Sequence, residues 1–197
     1  MAAVEFWFEF ASTYSYPAAM RVERVAAASG VELVWRPFLL GPLLGKQGLT
    51  DSPFNVFEQK GHYMWRDMAR ICEADGIDLK KPAIFPQNGL KAARVALLGM
   101  DEGWGPDFVR AVYQANFVEG RTISDVAVIE NILEALWLDS GGTFEKAMSS
   151  ENKERLKTQT DAAWDKGIFG APSFTVGDEL FWGNDRMETA FDWAVSH

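Results

Sequence analysis

The fold is decided by residues 4–17, which read VEFWFEFASTYSYP. Apolar side chains recur at every second position from Val4 to Phe10, and this alternation predicts a β-strand with one apolar face. Pro17 is of a type favoured in the first helical turn, and the apolar stripe after it predicts a helix over residues 16–29. The stretch therefore puts a strand-to-helix junction, with Ser12 inside it, near the start of the chain.

Working outward, the chain continues as two short β-rich ends around a helical block. An alternating run over residues 31–36 makes the start a βαβ unit, whereas residues 38–55 are rich in Gly, Pro and Ser and predict a loop. Helical spacing predicts a helix that ends at Gly76 and four more, over residues 87–100, 107–116, 124–138 and 151–166. The pattern of the last 25 residues predicts strands over residues 173–176 and 179–182 and a final helix over residues 186–195.

This order of elements predicts the α/β class, as a thioredoxin-like fold with an all-helical insertion. We expect residues 1–53 and 150–197 to form a discontinuous thioredoxin-like domain, and residues 54–149 to form the helical insertion domain.

Composition and charge exclude several classes of protein. The 197 residues carry 19 Lys and Arg against 28 Asp and Glu, a net charge of −9, which argues against a nucleic-acid binder because phosphate attraction needs surplus positive charge. The single cysteine, Cys72, leaves no disulfide or redox pair, and two histidines predict neither a metal site nor a serine–histidine triad. No apolar run approaches the roughly 18 residues that span a bilayer and no signal peptide is visible, so we expect a cytoplasmic protein without membrane contact.

Ser12 is the first candidate for chemistry. In a thioredoxin-like unit the reactive group lies where the first strand meets the first helix, because free backbone N–H groups and the helix dipole stabilise a thiolate there. No sulfur is present at this place, and a serine without a base is no nucleophile. Its hydroxyl can, however, donate a hydrogen bond to a thiolate brought by a ligand. The alternative is that Ser12 only caps the helix, as most serines in such positions do.

Two later segments also allow a binding or a purely structural interpretation. Pro172 stands where thioredoxin-like proteins place a cis-proline whose preceding backbone pairs with a peptide-like ligand; an ordinary trans-proline is the alternative. Asn184 or Asp185 is in position to cap the last helix, and the same place could hold the amino and carboxylate groups of a ligand.

The first inserted helix carries two different faces. Lys60, Tyr63 and Asp67 share one face, whose simplest interpretation is solvent exposure with local ion pairing. Cys72 belongs to the opposite, apolar stripe, and this position predicts that its side chain packs in the core and is not a reactive thiol.

Taken together, six segments resemble the 2-hydroxychromene-2-carboxylate isomerase family, and the related kappa-class glutathione transferases share much of the pattern. They are FWFEFASTYSY (residues 6–16), RPFLLG (36–41), KGHYM (60–64), FPQN (85–88), GIFGAP (167–172) and FWGNDR (181–186). The resemblance covers nearly the whole chain in the same order, and it implies the architecture of DsbA and the kappa-class transferases.

The resemblance also implies a glutathione site. Ser12 matches the catalytic serine that holds the glutathione sulfur, and Ala171 matches the residue whose backbone pairs with the tripeptide. The expected glutathione-binding residues are Ser12, Thr13, Tyr14, Ala171, Pro172, Trp182, Gly183, Asn184 and Asp185. For the substrate we expect contacts from Lys46, Thr50, Lys60 and Asn88, with Arg36 as a further cation for an anionic substrate.

Two departures from the family pattern stand out. Thr13 takes the place of a proline, and the family's substrate loop, Phe-Lys-x-x-Gly-Asn, is replaced by LGKQGLT over residues 44–50. Lys46 is the candidate for the family's lysine, whereas its asparagine has no counterpart.

By this resemblance we expect a glutathione-dependent cis–trans isomerase that converts 2-hydroxychromene-2-carboxylate, or a similar aromatic 2-oxo acid, to trans-o-hydroxybenzylidenepyruvate by reversible thiol addition. It would have glutathione as cofactor, a small aromatic carboxylate as substrate, no metal, and a homodimeric assembly. One alternative is a kappa-like transferase or peroxidase that consumes glutathione. A second alternative is a non-catalytic thioredoxin-like binding module, because the cysteine pair is missing.

Overall fold

Four strands form a single mixed sheet in a computed structural model that describes residues 2–197. They are β1 (Val4–Phe8), β2 (Leu33–Pro37), β3 (Ser173–Val176) and β4 (Glu179–Trp182), in the spatial order β2-β1-β3-β4. β1 is parallel to β2 and antiparallel to β3, and β3 is antiparallel to β4. The two ends of the chain thus meet at the centre of the sheet, where β1 lies beside β3.

Ten α-helices surround this sheet within the described residues. They are α1 (Ser15–Ser29), α2 (Leu40–Lys46), α3 (Pro53–Val56), α4 (Glu58–Asp75), α5 (Leu90–Glu102), α6 (Gly105–Phe117), α7 (Val126–Ala135), α8 (Ser140–Ala147), α9 (Ser150–Asp165) and α10 (Met187–Ser196). A short 3-10 turn (Asn184–Arg186) precedes α10. Over residues 2–197, none of these helices combines the length and the apolar character that crossing a membrane would require. The thioredoxin-like fold with many helices is the fold class expected from the sequence.

The alternation along β1 divides the core into two layers. Phe6 and Phe8 point into the larger layer, where the Phe6 ring lies 5.2 Å from Phe174 and 5.1 Å from Trp35. Trp7 points to the opposite side and packs in the smaller layer with residues of α2 and α9. Each fully buried side chain of this size stabilises the fold by about 1.5–3 kcal/mol, so β1 is held firmly from both sides. The loop that follows β1 is therefore anchored to a rigid element.

The predicted loop over residues 38–55 was wrong, because this segment contains α2 and α3. Leu43 of α2 is 1% exposed and packs in the smaller core layer, so tertiary burial overrides the helix-breaking composition. In α3, Ser52 accepts a hydrogen bond from the Phe54 N–H (3.3 Å) and Pro53 occupies the first turn.

The sequence prediction also missed α8. Asp139 caps this helix by accepting a hydrogen bond from the Gly142 N–H (3.2 Å). Any Cβ on Gly142 would collide with the Asp139 carboxylate, so the glycine that lowers helix propensity is the residue that the cap requires.

Candidate active site

Ser12 lies in the loop that connects β1 to α1. Its hydroxyl donates a hydrogen bond to the Ala171 carbonyl (2.8 Å) and accepts one from the Ser15 N–H (3.3 Å). Its own N–H donates to the Glu9 carbonyl (3.1 Å). The hydroxyl oxygen thus supports the first turn of α1, while the hydroxyl proton is directed to the opposite side of the loop.

The partner of that proton is the residue before a cis-proline. The Ala171–Pro172 bond is cis, as predicted, and β3 begins one residue later. Because β1 and β3 are antiparallel neighbours, the end of one lies beside the start of the other, and Ser12 meets Ala171 across 159 positions of sequence. Pro172 itself is buried, and its carbonyl accepts the Gly183 N–H (3.0 Å), which ties the segment 182–185 to the same place.

Glu9 is an acidic residue of the same loop that the sequence prediction assigned only to the polar positions of the strand. Its carboxylate accepts the N–H of Ala11 (2.9 Å), and its carbonyl accepts the hydroxyl of Tyr113 (2.9 Å). Burial raises the pKa of Glu9 to about 7, although the hydrogen bond from the Ala11 N–H acts in the opposite direction. A carboxyl group with a pKa near neutral therefore lies in the same loop as Ser12, three residues before it.

Gly89 makes room for this loop. A Cβ at Gly89 would lie 2.9 Å from the Phe10 Cβ, closer than real Cβ atoms approach, and 3.1 Å from Glu9 Oε1, which is tighter than most real Cβ contacts. The neighbouring Asn88 is exposed, and its Oδ1 accepts the Leu90 N–H (3.0 Å) at the start of α5. Of the predicted substrate residues, Asn88 is thus adjacent to the Ser12 loop through Gly89.

Thr13 and Tyr14 follow Ser12 in quite different surroundings. Thr13 is 1% exposed, and its hydroxyl oxygen has no partner among the described residues. The Tyr14 hydroxyl donates to Asp67 of α4 (3.1 Å); burial, and then the Asp67 charge, raise the pKa of Tyr14 above its ordinary value. Asp67 therefore joins α4 to the Ser12 loop instead of only pairing with neighbours on an exposed helix face.

Two other residues of that α4 face do remain exposed. Tyr63 is 62% exposed and lies under the Arg70 guanidinium, which is 5.6 Å from the ring centroid. Lys60 is exposed, with its Nζ 5.9 Å from the Phe57 ring centroid.

The segment 182–185 separates into a buried and an exposed part. Trp182 is 53% exposed and contacts the Phe169 ring (4.9 Å between centroids). Asn184 is buried, and its side-chain oxygen accepts a hydrogen bond from Arg21 (3.1 Å). Asp185 is exposed, 3.6 Å from Arg186 in an ion pair that is itself open to solvent.

The prediction that Asn184 or Asp185 caps the last helix was wrong, because neither the 3-10 turn nor α10 has a side-chain cap. Arg21 of α1 donates a hydrogen bond to the Asn184 side-chain oxygen instead, and it forms ion pairs with Glu188 (2.8 Å) and Asp75 (3.3 Å).

Two of the cations expected near the substrate, Lys46 and Arg36, have acidic partners elsewhere. Lys46 lies 3.9 Å from Asp161 and 4.8 Å above the Trp164 ring, so its contacts join it to α9. Thr50 is exposed, in the turn after α2. Arg36 donates two hydrogen bonds to Glu5 (3.0 and 2.7 Å), a pairing that the β1–β2 register brings about.

A cavity of about 580 Å³ lies on the α9 side of the sheet, and of the candidate residues that the sequence offered only Arg36 lines it. Glu5, Arg36 and Lys166 line it together with acidic and basic residues of α9. Burial would raise the pKa of Glu5, but hydrogen bonds from Thr175, Arg36 and Lys166 outweigh it and keep that pKa below its ordinary value. The charges that line this cavity neutralise one another, so the candidate site is the Ser12 loop with its bond to Ala171.

Cys72 is 2% exposed in the larger core layer. Burial, with a smaller effect of Asp75, raises the pKa of its thiol to about 11, so the thiolate is scarce at neutral pH. The structure therefore agrees with the predicted packing role. Over residues 2–197, no group of three or more His, Cys, Asp or Glu side chains is placed to hold a metal ion.

Comparison with known proteins gives the same fold. Residues 3–192 match the model of the DSBA-like thioredoxin domain. A solved structure of 2-hydroxychromene-2-carboxylate isomerase superposes with a TM-score of 0.87 at 26% identity, over 97% of this chain and 93% of that one.

Curated relatives give two names. The chain is 30% identical to the 2-hydroxychromene-2-carboxylate isomerase of Pseudomonas putida over 192 residues, 93% of this chain and 90% of that protein. It is 26% identical to the protein of the same name from Sphingobium xenophagum, over 94% of both chains. It is also 23% identical to "Glutathione s-transferase kappa 2" of Caenorhabditis elegans, over 96% of this chain and 90% of that protein.

Proposed function

We propose that this chain, which belongs to the 2-hydroxychromene-2-carboxylate isomerase family of DSBA-like thioredoxin domains, is a glutathione-dependent cis–trans isomerase. Its substrate would be 2-hydroxychromene-2-carboxylate or a similar aromatic 2-oxo acid. The observation that carries the proposal is the Ser12–Ala171 hydrogen bond beside a cis-proline. It brings a hydroxyl donor and a backbone acceptor together at the junction where a thioredoxin-like fold stabilises a thiolate.

The residues at this junction fit a tripeptide thiol. In the free protein the Ser12 hydroxyl and the Ala171 carbonyl satisfy each other, at 2.8 Å. If a peptide N–H of the ligand pairs with the Ala171 carbonyl, the Ser12 hydroxyl becomes free to donate its hydrogen bond to the ligand's sulfur. The ligand thus replaces one hydrogen bond by two.

We assign the roles of the chain as follows. Ser12 donates to the sulfur, and the start of α1 lowers the pKa of the thiol, which is otherwise about 8.5. Ala171 pairs with the tripeptide backbone, and the exposed Asp185 carboxylate pairs with its amino end. Glutathione, when bound, supplies a nucleophile for reversible conjugate addition, which permits rotation about a cis double bond and consumes no thiol.

The contacts favour two of the four proposed substrate side chains. Asn88 adjoins Gly89, which packs on the Ser12 loop, and Lys60 lies on α4, whose Asp67 holds Tyr14. Lys46 and Thr50 stay predictions, since no contact described above links them to that loop. A homodimer also stays a prediction, which sedimentation velocity would test.

The test is incubation with 2-hydroxychromene-2-carboxylate and a trace of glutathione. We expect many turnovers per thiol, with trans-o-hydroxybenzylidenepyruvate as product. A kappa-like transferase is the second candidate, favoured by the Caenorhabditis elegans relative. Loss of one thiol per turnover with a standard electrophile, and no reaction of the chromene, would establish that candidate instead.

A further inference from the structure

Two buried amide side chains connect the Ser12 loop to the start of α5. Asn116 of α6 is 1% exposed, and its Nδ2 donates a hydrogen bond to the Phe10 carbonyl (3.2 Å), two residues before Ser12. Its Oδ1 accepts a hydrogen bond from Nε2 of Gln87 (2.9 Å), which is 7% exposed and directly precedes Asn88. Side chains alone thus join the loop of the proposed catalytic serine to the segment of a proposed substrate residue.

Backbone groups at both ends fix the direction of the hydrogen bonds in this pair. Gln87 Oε1 accepts the N–H of Ile123 (2.8 Å), and its Nε2 also donates to the carbonyl of Arg121 (3.0 Å). A backbone N–H only donates and a carbonyl only accepts, so the Gln87 amide has one possible orientation. Asn116 must then turn its oxygen to Gln87 and its nitrogen to the Phe10 carbonyl. Both buried amides are therefore held in single orientations.

The same helix holds the loop at a second point. The Tyr113 hydroxyl donates to the Glu9 carbonyl (2.9 Å). Because Tyr113 and Asn116 lie three residues apart, they share one face of α6, and together they bind the two consecutive carbonyls that follow β1. The loop takes its position from α6 as well as from the strand that it follows.

We propose that Asn116 and Gln87 are positioning residues for the reaction: they hold the Ser12 loop, where the thiolate would form, in register with the segment of Asn88, where the substrate would bind. This inference rests on the proposed function, because it requires a thiol at Ser12 and an electrophile beside Asn88.

The proposed chemistry is sensitive to this placement. In conjugate addition the sulfur electron pair forms a bond to the conjugated carbon while the π pair shifts toward the carbonyl oxygen, and the reverse step restores the double bond and the thiolate. A misplacement of about 1 Å between reacting groups can lower such a rate by about 100-fold. The Ser12 hydroxyl's own partners, the Ala171 carbonyl and the Ser15 N–H, lie outside the amide pair, so glutathione should bind without it.

The test is Asn116→Ala, with Asn152→Ala as the matched control. Asn152 is also a buried asparagine (3% exposed), and its Nδ2 donates to the carbonyls of Arg94 and Ala147 (2.9 Å each). Both variants should lose similar stability in urea denaturation. Where both are fully folded, with glutathione and the chromene saturating, Asn116→Ala should lose about 10- to 100-fold in kcat. Asn152→Ala should keep the wild-type kcat, and neither variant should change the affinity for glutathione.

A second variant, Asn116→Asp, keeps the shape of the side chain and tests the hydrogen bonds directly. A protonated carboxyl group donates to the Phe10 carbonyl and accepts from Gln87, as the amide does, whereas an ionised one leaves that carbonyl without its donor. The rate relative to the wild type should therefore be highest at acid pH and fall as the pH rises. Taking this ratio at each pH cancels the titration of the bound thiol and of Glu9, which both proteins share.

Three results would overturn the positioning role while the proposed function stands. They are a kcat of Asn116→Ala that falls no further than that of Asn152→Ala, a loss of glutathione affinity with kcat intact, and an Asn116→Asp rate as low at acid pH as at alkaline pH. The shape-conserving variant also keeps the test available if Asn116→Ala does not fold. A wild type that does not convert the chromene with a trace of glutathione would instead overturn the proposed function, and this inference with it.

Discussion

Replacing Ser12 by alanine removes one hydroxyl with two described partners, the Ala171 carbonyl at 2.8 Å and the Ser15 N–H at 3.3 Å. In the free protein this loses one neutral hydrogen bond and one weak support of the first turn of α1, together about 1–2 kcal/mol of stability. A domain of ordinary stability, about 5–15 kcal/mol, tolerates that loss and remains folded.

The effect on bound glutathione should be larger, because the hydroxyl then donates to a charged sulfur. A hydrogen bond to a charged group contributes about 1.5–3 kcal/mol, and each pKa unit corresponds to about 1.4 kcal/mol. Ser12→Ala should therefore raise the pKa of the bound thiol by roughly one to two units. Turnover near neutral pH should fall in proportion to the thiolate that is lost.

The assay is a titration of thiolate absorbance against pH, with glutathione bound to each protein. Ser173→Ala is the matched control, because the buried Ser173 hydroxyl also donates to a backbone carbonyl, that of Gly170 (2.9 Å), in the same segment as Pro172. The control should lose similar stability and leave the thiol pKa unchanged. Identical titrations of the wild type and Ser12→Ala would refute the reasoning, since Ser12 would then only support the first turn of α1, whose N-cap is Tyr14.

Three further predictions follow from burial and charge. The pKa of Glu9 is raised from 4.5 to about 7, so the folded state loses stability as pH rises from about 4.5, where the unfolded state ionises, to about 7, where the folded state ionises as well. Glu9→Gln should therefore be up to about 3 kcal/mol more stable than the wild type at pH 8 and equal to it at pH 4, in urea denaturation, and equal stability at pH 8 would contradict this. Cys72 is 2% exposed, and burial raises the pKa of its thiol to about 11, so iodoacetamide should not modify it in the folded protein at pH 7.5. Modification at the rate of a free thiol would show instead that Cys72 is accessible. Asp185→Asn should weaken glutathione binding without changing stability. Asn184→Ala removes one of the two acceptors of Arg21 Nη2, the other being the Asn184 main-chain carbonyl (3.3 Å), and should cost about 0.5–1.5 kcal/mol of stability. An analogue without the γ-glutamyl amine that still distinguished Asp185→Asn from the wild type as strongly as glutathione does would refute the pairing.

Elements with a strong local period could be predicted from the sequence, and elements held by distant contacts could not. The alternation in β1 and the glycine stop of α4 at Gly76 appear in the structure as expected. In contrast, α2 owes its formation to Leu43, which packs beside Trp7 and Ile168, and α8 depends on a cap that needs Gly142. Composition around both helices indicates a loop, because glycine and proline disfavour helices when no burial compensates for them.

The site shows the same limit. Ser12 and Pro172 could be predicted because each has a fixed place in the order of strands and helices. The partner of Asn184 could not, because Arg21 lies 163 residues away and only the packing of α1 on α10 brings them together. Glu9 was missed for a different reason: a glutamate in an alternating strand indicates an exposed position, and no local signal reports that Gly89 covers it. The division at residues 53/54 and 149/150 stays a prediction.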